Sequence, residues 1–520
     1  VGTSPTAATI KAGYLDSELN NNDESKLVYF SYRNPPGTLF EHGRASIDTT
    51  ENWVKLSNIN MAFFPSTFGT LELGLSANEI ETLTWNGSVS TSWTTVNNWT
   101  PNGAPSDFVN IIIPDAATTT FDPMVPIATT IRAIKLQSGS ILNAVANAQM
   151  TLIDGADVWV NDGGVFNPNT STILFKSDTA DVSGATNFYN VIVDTDANLL
   201  MKTGSTMRIA GAMNNNGVWR PAWDGNVTTV EYNGANQNVV IPYAATNRYS
   251  SLILSGSGTK TLPSTNLSIL GNLTLVGTVS VTTPNSMVIV GDMSVGANTT
   301  FDAGANTHTV GGNFTHNGVL NTTGSTFVMN GLTAAQTISG TASTTEFNNL
   351  VVLNTFGVTV SKDITVNGTL DLQSDNPTAT LGSLDMGTST LSLTANAVNT
   401  GVGDVTGIVK RAHTFVTGQS YTFGNSKTLM IFGSTGTKAS QVSVKTKIGA
   451  APTWKTTAVK RVYDLAQTGA SNNYATVQLN YLDSELNGAD ESQLVFFGAI
   501  GLPTPTIVEY GYNSKDESNN

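Results

Sequence analysis

The chain has 520 residues, 48 of them Gly, a formal net charge of −14, no Cys, and only 12% Asp, Glu, Lys and Arg. The missing Cys excludes disulfides, thiolate metal sites and Cys nucleophiles, and the acidic balance excludes the basic face that nucleic acid requires. No apolar run approaches the roughly 20 residues of a bilayer-spanning helix, so direct membrane insertion through such a helix is excluded as well.

The chain opens Val-Gly-Thr-Ser-Pro, without a basic segment or an apolar core, and reads as an internal piece of a longer protein. Residues 1–82 carry ten acids against five bases. Within them, residues 14–30 read YLDSELNNNDESKLVYF, and residues 481–497 read YLDSELNGADESQLVFF, identical at 13 of 17 positions and offset by 467. The likeness continues on both sides: Ala8-Thr9-Ile10 answers Ala475-Thr476-Val477, and Glu41 and Gly43 answer Glu509 and Gly511 after a one-residue slip. The chain is therefore expected to hold one 467-residue period of a tandem array plus an overlap. On this reading residues 1–82 are the second part of a β-sandwich module continued from a preceding repeat.

The repeated loop is rich in oxygen donors, Asp16, Glu18, Asn20 and Asp23 in one copy and Asp483, Glu485, Asn487 and Asp490 in the other, the composition that suits Ca²⁺. An EF-hand is excluded, because Leu494 stands where that loop needs its bidentate Glu. The competing reading is a solvated polar connection between two strands. No cofactor is required by either.

Residues 83–104 are Trp-rich, and Trp85, Trp93 and Trp99 with Pro101 and Pro105 are expected to cap the open end of a stack of strands; sugar stacking on the three rings is the alternative. Residues 105–403 carry short alternating strands separated by Asn-Gly, Ser-Gly and Asp-Gly turns, with Gly271, Gly291 and Gly312 spaced 20 and 21 residues apart. A period near 20 predicts an all-β chain with a parallel β-helix of about 14 coils, each adding about 4.8 Å. A string of β-sandwiches is the competing fold. Residues 404–520 carry a basic stretch, nine Lys and Arg between 404 and 465, and are expected to form a β-sandwich module running into the next repeat.

TWNGSVSTSWTTVNNWTPNGAPSDFVNIIIPDAATT (84–119), VKRAHTFVTGQSYTFGNSKTLMIF (409–432) and YATVQLNYLDSELNGADESQLVFF (474–497) resemble, in this order, segments that introduce and follow β-helical regions in very large secreted multi-repeat cell-surface proteins of Bacteroidetes- and Chlorobi-type bacteria. The resemblance implies export to the cell surface and an adhesin-like or filament role. The partners it implies are copies of the chain or neighbouring repeats head to tail, and glycans or other cells.

Many β-helices are polysaccharide lyases or hydrolases, which gather two or three carboxylates about one sugar. Residues 261–403 offer Lys362 and seven scattered acids, Asp292, Asp302, Glu346, Asp363, Asp371, Asp375 and Asp385. His308 and His316 have no carboxylate at metal-ligand spacing and read as strand or turn residues. A non-enzymatic structural protein is the expectation.

Overall fold

The computed structural model describes residues 7–20, 22–33, 38–60, 71–77, 82–107, 109–153, 155–243, 248–373, 383–501 and 505–517. The chain is all-β, 49% strand, with a β-solenoid of about 14 turns and flanking sheets. It divides into two compact units, Val1–Val165 and Phe166–Asn520, and coils occur in both. The competing string of sandwiches is not what forms.

The first unit opens with two antiparallel sheets. Strands β1 (Ala7–Gly13), β4 (Ser46–Asp48) and β5 (Trp53–Asn60) form one, in the order β1-β5-β4. Strands β2 (Leu27–Arg33), β3 (Thr38–Gly43) and β6 (Leu71–Ala77) form the other, in the order β3-β2-β6. Alternation points one side of each strand inward, and Leu27, Tyr29 and Val54 make a buried centre against Ile10, Ala12, Tyr14, Ile47, Leu56 and Leu75. The Tyr29 hydroxyl donates to the Val54 carbonyl at 2.8 Å, which ties the two sheets together.

The coils follow. Strand β7 (Thr82–Trp85) pairs antiparallel with β8 (Trp99–Thr100) and parallel with β9 (Asn110–Ile113), which pairs in turn with the parallel strand Ala133–Leu136. In the second unit each coil contributes strands to three parallel sheets. One inward column runs Leu267, Met287, His308, Phe327, Leu350, Leu370, so a coil takes 19 to 23 residues there. A second runs Leu252, Leu273, Met293, Phe314, Ile338, and a third Lys260, Val281, Phe301, Leu320. Each fully buried Leu, Met or Phe contributes roughly 1.5–3 kcal/mol, and the column repeats that gain once per coil.

The Gly register has a steric cause. Gly271, Gly291 and Gly312 stack at one corner, where a Cβ on Gly291 would lie 2.6 Å from the carbonyl carbon and oxygen of Gly271. The residue after each Gly closes the corner. Asn272 Oδ1 accepts from the Asp292 N–H at 2.8 Å, Asp292 Oδ1 from Asn313 N–H at 2.6 Å, and Asn313 Oδ1 from Thr337 N–H at 2.9 Å. This ladder ties each coil to the next through groups that the parallel strands leave unpaired.

The solenoid does not stop before the C-terminal sandwich begins. The strand Val405–Arg411 pairs parallel with Leu384–Leu393 on one edge and antiparallel with Gln441–Ile448 on the other, and Gln441–Ile448 pairs with Arg461–Thr468. A second sheet orders Ser420–Thr422, Leu429–Phe432 and Ala475–Gln478, and Phe496–Ile500 pairs with Thr506–Gly511.

Candidate functional site

The chemistry of this chain concentrates where coils end and where the repeated loop turns. At the first coil, Trp85, Trp93 and Trp99 are all buried, with ring centroids 4.9 Å (Trp85 to Trp99) and 5.0 Å (Trp93 to Trp99) apart in edge-to-face contact. Trp85 Nε1 donates to the Phe121 carbonyl at 2.6 Å and Trp99 Nε1 to the Trp93 carbonyl at 2.8 Å. Asn98, fully buried beside them, accepts from the Val89 and Ser90 N–H groups and donates to the Ser92 carbonyl. The three rings thus face one another and the chain, leaving no open aromatic face for a sugar. Asn98 pins the connection across them and went unremarked in the sequence; its place in Asn-Asn-Trp was the available signal.

At the last coil stands Arg411, fully buried with no acidic partner among its hydrogen bonds. It donates from Nη1 to the Thr394 carbonyl at 2.6 Å, from Nη2 to Ala397 at 2.6 Å and from Nε to Thr422 at 2.8 Å. Arg supplies five donors in a rigid fork, so one side chain satisfies carbonyls of the final coil and of the strand folded over it. Burial pulls its pKa down to about 10, and the neighbouring Tyr421 opposes the drop. The guanidinium lies 5.6 Å from the Tyr421 ring and 5.7 Å from Phe423, and Phe415 and Phe432 pack on Tyr421. The sequence offers Arg411 as one of nine bases and does not mark it as the one turned inward.

The two copies of the oxygen-rich loop fold alike. Each has a 3-10 turn, Asp16–Glu18 and Asp483–Glu485. Glu18 accepts from the Leu15 N–H at 2.8 Å, and Glu485 from the Leu482 N–H at 2.9 Å. Tyr14 donates to Glu24 at 2.9 Å, and Tyr481 to Glu491 at 2.7 Å. Asn20 and Asn487 take the left-handed conformation, φ 46° and 55°, which Asn tolerates better than most residues. Burial, then Glu24, raises Tyr14 to about 12, and Tyr481 shifts the same way through burial and Glu491.

Several of the Ca²⁺ candidates bond the chain's own groups. Asp16 accepts from Asn52 Nδ2 at 2.6 Å, Asp23 lies 3.8 Å from Lys26 Nζ, and Asp490 accepts from the Ser492 hydroxyl at 2.7 Å and from its N–H at 3.0 Å, which together lower its pKa. Asn487 Nδ2 donates to the Thr456 and Ala458 carbonyls, both at 3.0 Å. Among the described residues no three His, Asp or Glu side chains gather at a point that could hold a metal ion. The donors named here close turns and bond neighbouring side chains and carbonyls.

In the second copy Glu485 also meets Arg461. The guanidinium bonds Glu485 from Nε at 2.7 Å and Asp404 from Nη1 and Nη2 at 2.9 and 2.7 Å, with all three side chains buried. Burial works against the Arg461 charge, but the hydrogen bonds and charge of Asp404 and Glu485 outweigh it and raise its pKa. This triad joins the end of the coils to the loop across 81 residues of sequence, a link no local pattern reveals.

Of the acids weighed for catalysis, Asp302 accepts from Gly304 N–H, Asp363 from Thr390 N–H, Asp371 from Thr400 Oγ1, and Asp385 from Thr406 Oγ1, beside Asp292 in its ladder. Glu346 accepts from Asn367 Nδ2 at 3.5 Å, and Asp375 lies outside the described residues. His308 and His316 are buried strand residues in a Phe-lined column. Burial lowers both, and with Lys362 adding its charge His316 falls to about 4. Comparison with protein-family models, with curated proteins and with solved structures returns no match.

Proposed function

We propose that the chain is a non-enzymatic extracellular structural protein, one period of a repetitive surface filament or adhesin that acts as a rigid spacer and assembly unit. The observation that carries this reading is where the polar side chains are used. Asn272, Asp292 and Asn313 bond the coil above, Arg411 closes the last coil, and the acids of the coils serve as acceptors for neighbouring N–H and O–H groups. A polysaccharide-cleaving site would need carboxylates left free to face a sugar. The resemblance to secreted multi-repeat surface proteins favours the same reading. Its mechanism is mechanical: parallel ladders along a stack distribute load over many backbone hydrogen bonds, and end caps prevent the stack from pairing with unrelated strands.

Electron microscopy of the protein at the cell surface tests it. Fibres with a regular axial repeat are expected; isolated globular particles, or turnover of a polysaccharide by the purified chain, would sink it.

A further inference from the structure

One connection in the second unit is longer than its neighbour. The strand Asn198–Met201 pairs in parallel with Val218–Arg220, with Leu200 opposite Arg220, and Thr206–Ile209 pairs with Thr229–Tyr232, with Thr206 opposite Thr229. The first coil passes from Leu200 to Thr206 through five residues, 201–205, and the next passes from Arg220 to Thr229 through eight, 221–228. Stacking of these strands does not require the difference, and an insertion confined to one coil is where a repeat fold carries chemistry beyond its own stacking.

The longer loop is built onto the shorter one. Asn226 Nδ2 donates to the Met201 carbonyl at 2.9 Å, Asn226 Oδ1 accepts from Thr203 Oγ1 at 3.0 Å, and the Gly204 N–H donates to the Val227 carbonyl at 2.8 Å. Asp224 and Gly225 take the left-handed conformation, φ 53° and 78°, within the 3-10 turn Trp223–Gly225. The loop's polar groups thus bond the preceding coil, and its large apolar side chains stay outside: Trp223 is 38% exposed and Val227 67%.

Arg220 stands against Trp223. Its guanidinium carbon lies 4.1 Å from the Trp223 ring centroid and 5.0 Å from that of Tyr243, so two rings hold it by cation–π contact. The side chain makes no hydrogen bond or ion pair among the described residues, and its Nε is buried without an acceptor. Asp224, the nearest acid in sequence, forms no ion pair with it. Arg208 one coil earlier shows the ordinary arrangement, bonding Glu231 at 3.0 Å. Stacking uses the faces of a guanidinium and leaves its N–H groups in the plane, so one fixed by two rings with those groups unfilled is arranged for an anionic oxygen.

We propose that Arg220, Trp223 and Tyr243 bind an acidic sugar residue, its carboxylate on the Arg220 guanidinium and its ring against Trp223. The place calls for an anion and a flat apolar face close together. An inorganic anion supplies the first alone and a plain apolar ring the second alone, whereas a sugar carrying a carboxylate supplies both through its charged group and the C–H face of its ring. An acidic peptide fits less well, because extended peptides are taken up by main-chain bonds along a strand, and this platform is a turn whose Asn226 N–H is already bonded to the Trp223 carbonyl. Such binding goes beyond the spacer role, which needs no ligand.

The chain has 8 Trp, so fluorine NMR of the whole protein labelled with 5-fluorotryptophan reads each ring, and the line missing from Trp223→Phe assigns Trp223. The probes are a galacturonic acid trimer, the neutral galactose trimer of the same linkage and a penta-glutamate peptide. The acidic trimer is expected to move the Trp223 line saturably while the lines of the buried Trp85, Trp93 and Trp99 stay in place. The neutral trimer should bind about tenfold more weakly, since it leaves the guanidinium unfilled. Trp223→Ala, at an exposed position, should weaken the acidic trimer about tenfold by calorimetric titration and leave the melting temperature unchanged. Arg220→Gln should make the two trimers bind alike, and Arg220→Lys, which keeps the charge without the planar fork, should restore only part of the preference. Equal affinity of the unaltered chain for the two trimers, full affinity in Trp223→Ala, tighter binding of the peptide than of the acidic trimer, or a Trp223 line that no probe moves would overturn the proposal.

Discussion

The repeated loop appears twice with almost one sequence and almost one backbone, and in two different states of burial. Around residues 14–30 strands β5 and β6 pair with β1 and β2 and Tyr29 is 2% exposed; around residues 481–497 no strand lies on the corresponding edges among the described residues, and Phe496 is 39% exposed. What repeats is the local chemistry: the Glu18 and Glu485 turns, the Tyr14–Glu24 and Tyr481–Glu491 bonds, and the left-handed Asn20 and Asn487. What differs is everything decided by residues far away in sequence. Hydrogen bonds that close within ten residues form wherever the segment occurs, whereas burial waits for a partner strand.

That contrast can be attacked directly. Tyr29→Ala should cost about 4 kcal/mol in the first module, because it opens a cavity and leaves the Val54 carbonyl without its donor, while Phe496→Ala should cost under about 1 kcal/mol in the isolated chain. Urea unfolding followed by residue-resolved hydrogen exchange in each module separates the two. Equal losses would show that Phe496 is already covered. Next in size, Arg461→Ala should cost about 3 kcal/mol by stranding Asp404 and Glu485 in a dry site, whereas Glu18→Ala, at the counterpart of the Glu485 end of that triad, should cost about 0.5–1 kcal/mol as a lost cap. Thermal melts of the two variants give the comparison.

The coil interior supplies a pH test of intermediate size. His316 falls from the ordinary 6.5 to about 4 in the fold, and His308 shifts the same way. A depressed folded value means the unfolded chain takes up the proton first. Stability is therefore full above about 6.5 and declines as the pH drops toward 4. His316→Gln should flatten the slope of melting temperature against pH in that window; a slope that survives both His308→Gln and His316→Gln would assign it to the carboxylates instead.

A smaller effect separates the two turns. Asn20→Ala should cost about 1 kcal/mol, the strain of a left-handed backbone on Ala, and Asn487→Ala about 1 kcal/mol more, because its side chain also bonds the Thr456 and Ala458 carbonyls; equal losses in thermal melts would mean that those two bonds contribute nothing. Smallest of all, chelation should leave both melting transitions in place, since the carboxylates of the loops already bond the chain. A drop on chelation would restore the Ca²⁺ reading.

Much of the fold was legible. The period of about 20, the alternating strands and the repeated Gly at 271, 291 and 312 pointed to stacked coils, because a solenoid imposes its spacing on sequence coil by coil. The Trp-rich segment was recognisable as a place for rings to gather at a coil end because three large aromatics in fifteen residues seldom have another use in so polar a stretch. The loop donors were harder to read: the oxygens are there, and Glu18, Glu24, Asp16 and Asp490 bond the chain's own N–H and hydroxyl groups, partners that composition alone does not reveal.

By itself the sequence determined the all-β class, the coil period, the doubled loop and its turn chemistry, all of which rest on neighbours or on a fixed repeat. The tertiary structure decided which charges go inside. Arg411 and Arg461 look like any other bases in a basic stretch, and one closes the last coil while the other joins Asp404 to Glu485. It also decided that Tyr29 is covered and Phe496 is not. A buried charge or an open edge depends on which distant backbone groups lack partners, and that is settled only when the strands have been laid side by side.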